Sequence, residues 1–156
     1  MKKLLFVLLI AISVYSCRKT SNISNIPKIT FTSLTGIQYS SGKDSIAVLK
    51  FEYEDGDGDL GSLSSDSTGY RNLFVKYMIM QNGIYITPTL PVGFDAQIPN
   101  LTPKAKNKSI SGDITYNLIL PPAAVSDTIK FEVYIIDRAN HKSNVFETSP
   151  LIITTP

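Results

Sequence analysis

The stretch Glu54-Asp55-Gly56-Asp57-Gly58-Asp59-Leu60-Gly61 concentrates the groups of this chain that could do chemistry. Six of the 13 acidic residues fall between Glu52 and Asp66, and no Lys or Arg interrupts them. Carboxylates crowded on one turn repel each other unless water or a cation screens them. Asp at alternate positions, with Gly between, lets a loop curl and aim several oxygens at one centre. Hard cations need that arrangement, and Ca²⁺ takes about 6–8 oxygen ligands. Asp55, Asp57 and Asp59 are therefore candidate calcium ligands. They match the first, third and fifth positions of an EF-hand loop, with Asp66 where its bidentate acid would sit. Leu60 stands where that motif requires Gly, however, and the preceding residues read as strand. The pattern suits a calcium loop on a β-domain better than an EF-hand. The alternative is a solvated acidic hairpin whose Asp-Gly pairs serve turn geometry, partly neutralised by Arg138 or Lys142.

Other reactive groups are sparse. His141 is the only histidine; it sits in a polar turn beside Lys142 and reads as a solvated turn residue rather than a catalytic base. No glycine loop opens a helix to cradle phosphate, and the Gly-rich stretch present is acidic. Neither HExxH nor a thiol beyond Cys17 points to zinc. There is no Trp to stack a sugar ring, although Tyr39, Tyr70 and Tyr85 offer smaller faces. These absences favour a chain that is not an enzyme.

Cys17 is the only cysteine. It follows Lys2-Lys3, an apolar run from Leu4 to Ile12, and small or polar residues ending at Ser16. The run is short for a bilayer span, which needs about 20 residues, and has the layout of an export signal. Val14-Tyr15-Ser16-Cys17 resembles the lipobox of bacterial lipoproteins, in which the cysteine is acylated and becomes the first mature residue. The resemblance implies a cleaved signal over 1–16 and lipidation at Cys17. Each buried CH₂ of an acyl chain contributes about 0.8 kcal/mol, so several chains anchor a soluble domain firmly. Without Lys2 and Lys3 the basic and acidic side chains balance. A neutral chain with no basic stripe argues against nucleic acid as a partner.

Residues 17–26 read as the lipidated cysteine and a polar spacer, and 27–156 as one domain. No window carries an apolar repeat of helical period. Seven strand-like runs are predicted instead: 28–34, 44–54, 71–80, 83–87, 109–120, 127–137 and 145–154. In the second, Leu49, Phe51 and Tyr53 share one face; in the sixth, Phe131, Val133 and Ile135 do. Asn82-Gly83 is a two-residue hairpin signal. Residues 88–108 show no clear strand and read as a long excursion between sheets, with Lys104, Lys106 and Lys108 on a solvated edge. The expected fold is all-β: an antiparallel immunoglobulin-like or fibronectin III-like sandwich of about seven strands. In that arrangement the acidic turn and the turn Asp137-Arg138-Ala139-Asn140-His141-Lys142 share a pole with the start of the first strand. Asp137 or Asn140 could then complete the calcium site, which would face the lipid-linked end.

The segments Phe51–Gly61 and Ile135–Asn144, together with the anchor, resemble small envelope lipoproteins of the Bacteroidota. Those proteins pair a DGDGDLG turn with a later D-R-A-G-N-like turn; here Asn140-His141 stands where the pattern has Gly-Asn. The resemblance implies an extracytoplasmic sandwich. The expectation that follows is a non-enzymatic binding or scaffold lipoprotein of the cell envelope, anchored to the outer membrane and steadied by Ca²⁺, with a protein or glycan partner. Two alternatives remain: an accessory hydrolase or transferase acting on an envelope glycan, and a structural subunit assembling by strand pairing.

Overall fold

A computed structural model of the chain describes residues 23–38, 44–63, 69–101, 109–121 and 127–153. The expected signal segment and Cys17 lie outside these residues, as do Tyr39, Asp66, Lys104, Lys106 and Lys108. Among the described residues no helix is long and apolar enough to cross a membrane.

The fold is all-β. Among the described residues eight strands form: β1 (Lys28–Gln38), β2 (Asp44–Asp55), β3 (Leu73–Gln81), β4 (Ile84–Ile86), β5 (Ile110–Ile119), β6 (Thr128–Ile135), β7 (Phe146–Glu147) and β8 (Leu151–Ile152). One antiparallel sheet has the order β1-β2-β5; the other runs β4-β3-β6-β7, with β8 also pairing β6. Period-2 alternation sets which side chains turn inward. On β2 these are Ala47, Leu49, Phe51 and Tyr53; on β6 they are Ile129, Phe131, Val133 and Ile135. One apolar core gathers both sets with Leu73, Val75, Tyr77, Ile79 and Leu118. The sheets meet at aromatic contacts. Phe146 lies 5.7 Å from Phe31 and 5.8 Å from Phe51, between ring centroids. Within the second sheet Phe131 lies 5.5 Å from Tyr77 on the neighbouring β3, and Phe94 of the following loop packs on it at 5.6 Å.

The Asn82-Gly83 turn forms as expected, with φ of 50° and 79°, the mirror-image geometry that suits strand twist. One expectation needs correction. The run 145–154 is not one strand. Thr148 Oγ1 accepts the Phe131 amide that a partner strand's carbonyl would otherwise take, and Pro150 has no N–H to donate. The ladder therefore breaks between β7 and β8. The excursion after β4, where it is described, packs onto the core. Phe94 and Ile98 are buried, Ala96 bridges to Leu73, and Pro99 bridges to Ser62. Buried Asn72 holds it in place: its Oδ1 accepts the Ile98 N–H at 2.6 Å and its Nδ2 donates to the Ile98 carbonyl at 3.2 Å. One carboxamide thereby does the work of a missing strand partner.

Antiparallel pairing puts the end of β2 beside the starts of β1 and β5, and the end of β6 beside the start of β3. The acidic turn leaves the first of these ends and the 137–142 turn leaves the second. Arg138 Nη1 donates across the gap to the Gly61 carbonyl at 2.9 Å. The two turns do share a pole, and the beginning of β1 is at the same end.

Candidate metal centre

Asp55 is the last residue of β2 and continues its inward phase after Leu49, Phe51 and Tyr53. Its side chain is consequently aimed at the core and is fully buried. Asp137 continues the inward phase of β6 in the same way and is also fully buried. Burying a carboxylate is costly unless its oxygens are matched by donors or a metal.

Beyond Asp55 the chain turns back on itself. The Leu60 N–H donates to Asp55 Oδ2 at 3.1 Å, closing the loop. The Leu60 side chain is fully buried and plugs the loop from beneath. Gly61 has φ of 99°, and a Cβ there would also collide with the Pro99 carbonyl, so only glycine fits. Ser62 then anchors the loop to the excursion through the Ile98 carbonyl, which accepts from its N–H at 2.9 Å and its Oγ at 3.1 Å.

This path brings together one oxygen each from Asp55, Asp57 and Asp59, all within 4.8 Å of one another. Asp55 Oδ1, Asp57 Oδ1 and Asp59 Oδ1 are buried and accept no hydrogen bond from the protein. A solvated acidic turn would point its oxygens outward; this one buries one oxygen of each aspartate without a protein donor. Oxygens that close can share a single hard cation, and Ca²⁺ takes about 6–8 oxygen ligands in flexible geometry. The donor set is all oxygen and fits calcium.

Electrostatics agree with the geometry. Burial pushes the Asp55 carboxyl up to about 6, with the charges of Asp57 and Asp59 adding to the shift and the Leu60 N–H opposing it. The Asp59 carboxyl is also raised, first by burial and then by Asp137 and Asp57, against the pull of Arg138 and the Ala139 N–H. In the absence of a cation, the folded chain thus holds protons here that the unfolded chain releases. A raised acid contributes stability at low pH and loses it as pH rises through its folded value. With calcium chelated, the melting temperature should therefore be higher at pH 5 than at pH 7, the loss falling between about pH 4 and 6. Saturating calcium should flatten or reverse that slope, because the ion competes with the protons. Differential scanning calorimetry at the two pH values, with EDTA and with calcium, checks both signs.

Asp137, expected as a fourth ligand, stands beside Asp59 but outside the three grouped carboxylates. Its Oδ1 accepts the His141 N–H at 2.7 Å, and its Oδ2 lies 3.0 Å from His141 Nδ1. It folds its own turn and adds negative charge behind Asp59. His141 is half-exposed as expected, yet its ring is tied to Asp137. Asn140 is exposed in a left-handed conformation, φ 66°, which serves the turn. Of the two cations weighed as neutralising partners, only Arg138 acts on the acidic turn. Lys142 sits 3.8 Å over the Tyr134 ring instead. A residue the sequence did not single out is Asn144. It accepts the Ile29 N–H and donates to the Ile29 carbonyl, both at 2.8 Å, pinning the start of β1 to the second turn. An asparagine in a polar segment carries no pattern that announces such a clamp.

Comparison of the chain with protein-family models, with curated proteins and with solved structures finds no match.

Proposed function

We propose that this chain is a non-enzymatic lipoprotein of the cell envelope, a binding or scaffold module on an immunoglobulin-like or fibronectin III-like sandwich. Its anchor is an acylated Cys17 at the outer membrane, and its anchor-side pole is braced by Ca²⁺ held by Asp55, Asp57 and Asp59. Asp137 supplies charge behind them. The observation that carries this reading is the trio of buried Oδ1 atoms with no donor. Native structures satisfy buried polar groups, and three converging exceptions call for a cation. The strand order, β1-β2-β5 against β4-β3-β6-β7, supports the sandwich assignment. The signal layout and lone cysteine support the anchor.

The glycan-enzyme alternative needs a cleft holding carboxylates free to act. A cleft of about 410 Å³ between β3, β6 and the 87–95 segment does contain Asp95 and Glu132. Asp95 accepts the Val75 N–H at 2.8 Å, however, and Glu132 pairs with Lys76 at 3.4 Å. Both are engaged in holding the fold, which favours the non-enzymatic reading. Assembly by strand pairing is favoured by one feature, the short edge strand β4 with exposed Ile84 and Ile86. Sedimentation of the purified chain as a single monomeric species would remove it.

The test of the main reading is calcium titration of the full chain in detergent, followed by calorimetry. Saturable binding of about one ion per chain is expected, together with acyl labelling that Cys17→Ser abolishes. Absence of binding up to millimolar calcium would remove the metal, and labelling that persists in Cys17→Ser would remove the anchor assignment.

A further inference from the structure

We infer that the cation loop also grips the segment leading to Cys17, so that calcium shortens the leash between the membrane and the domain. The inference rests on the function proposed above. Gly56 lies between two of the three ligand residues, and its N–H donates to the Ser24 carbonyl at 2.8 Å. The approach is so close that a Cβ on Gly56 would collide with the carbonyl oxygens of Ile23 and Ser24. Ser24 Oγ in turn accepts the Ile26 N–H at 3.0 Å, and Pro27 is buried. Lys28 then pairs with Glu54, and Asn144 pins Ile29. Residues 23–29 thus lie between the two turns that build the metal pole.

The orientation of the Gly56 peptide is not independent of the site. Asp55 on one side and Asp57 on the other must both send a carboxylate to the same point. Without a cation, repulsion among three carboxylates drives that point apart, and the peptide between them is the first to move. The Gly56 amide then leaves Ser24, and the segment loses its main tie to the domain. With the ion bound, the loop is closed and the tie is made.

The consequence is a change of reach. Cys17 lies six positions before Ile23 and eleven before Lys28. An extended chain spans at most about 3.5 Å per residue, so the leash is limited to roughly 21 Å when gripped at Ile23 and roughly 38 Å when free to Lys28. A domain held on the shorter leash keeps its metal pole toward the bilayer; on the longer one it can tumble.

Hydrogen exchange with mass spectrometry on the full chain in detergent tests this, in calcium and in EDTA. At free calcium ten times the dissociation constant, openings linked to the site become about tenfold rarer. Exchange in peptides covering both 54–61 and 23–30 should slow by about that factor. Calcium protection of 54–61 in the wild type with no change in 23–30 overturns the inference and leaves the metal reading standing. Absence of a calcium effect on both segments overturns the metal reading, and the inference with it.

Discussion

Replacing Asp57 and Asp59 together by Asn should abolish the rise in melting temperature that calcium gives the wild-type chain. Asparagine keeps the shape of aspartate, so the loop retains its Leu60 plug and its Gly61 and Ser62 anchors while two of three charged ligands are lost. A ligand that binds only the folded state stabilises it by about 2.7 kcal/mol at one hundred times its dissociation constant. For a domain of this size that corresponds to a shift of about ten degrees in melting temperature. A second sign distinguishes the variant from a merely damaged protein. In EDTA at pH 7 it should melt higher than the wild type, because the Asp57 and Asp59 charges, which add to the effect of burial on Asp55, are gone. Calorimetric scans of both chains, with calcium and with EDTA, give all four values. A wild-type melting curve that is the same in calcium and in EDTA would end the metal proposal.

Phe131→Ala should cost more than any single change in the acidic turn, about 3–5 kcal/mol. Phe131 is fully buried on β6 and belongs to an aromatic cluster with Tyr77 and Phe94. Tyr77 comes from β3 and Phe94 from the docked excursion, so the ring joins a strand pair to a segment that has almost no ladder of its own. Removing it leaves a cavity that β6 cannot close, because Ile129 and Val133 are held by the register with β3. Phe94 rests edge-on against that ring at 85° and would keep only its contact with Tyr77. Urea denaturation measures the loss. A cost below about 1 kcal/mol would mean that the cluster is not the keystone of the core.

The chemistry of the acidic turn was legible because it is local. Alternate Asp and Gly within eight residues is a pattern that needs no tertiary partner to be read. The inward phase of β2 and β6 was equally legible, since Leu49, Phe51 and Tyr53 establish a parity that runs on to Asp55, just as Phe131 to Ile135 runs on to Asp137. The excursion after β4 was opaque. Phe94, Ala96 and Ile98 alternate with Asp95 and Gln97, but the run is short; Ile98 is held by a clamp from Asn72, 26 residues away and with no signature, and Phe94 by the rings of Tyr77 and Phe131. The break between β7 and β8 was missed for a related reason: a Thr148 hydroxyl displaces a ladder bond, which only pairing can reveal.

The sequence by itself determined an all-β chain, its turn at Asn82-Gly83 and a cluster of carboxylates at the end of an inward-facing strand. These follow from the period of two in a strand and from the backbone freedom of Asn and Gly, both properties of neighbouring residues. Only the tertiary structure decided that one oxygen of each clustered aspartate is buried without a protein donor, and that Asp137 spends its own on His141. It alone brought Arg138 to Gly61, 77 residues away, and Ser24 to Gly56. Such contacts depend on how two sheets pack and on which turns then meet at a pole. That meeting is a global balance of burial and pairing, which no short stretch of chain encodes.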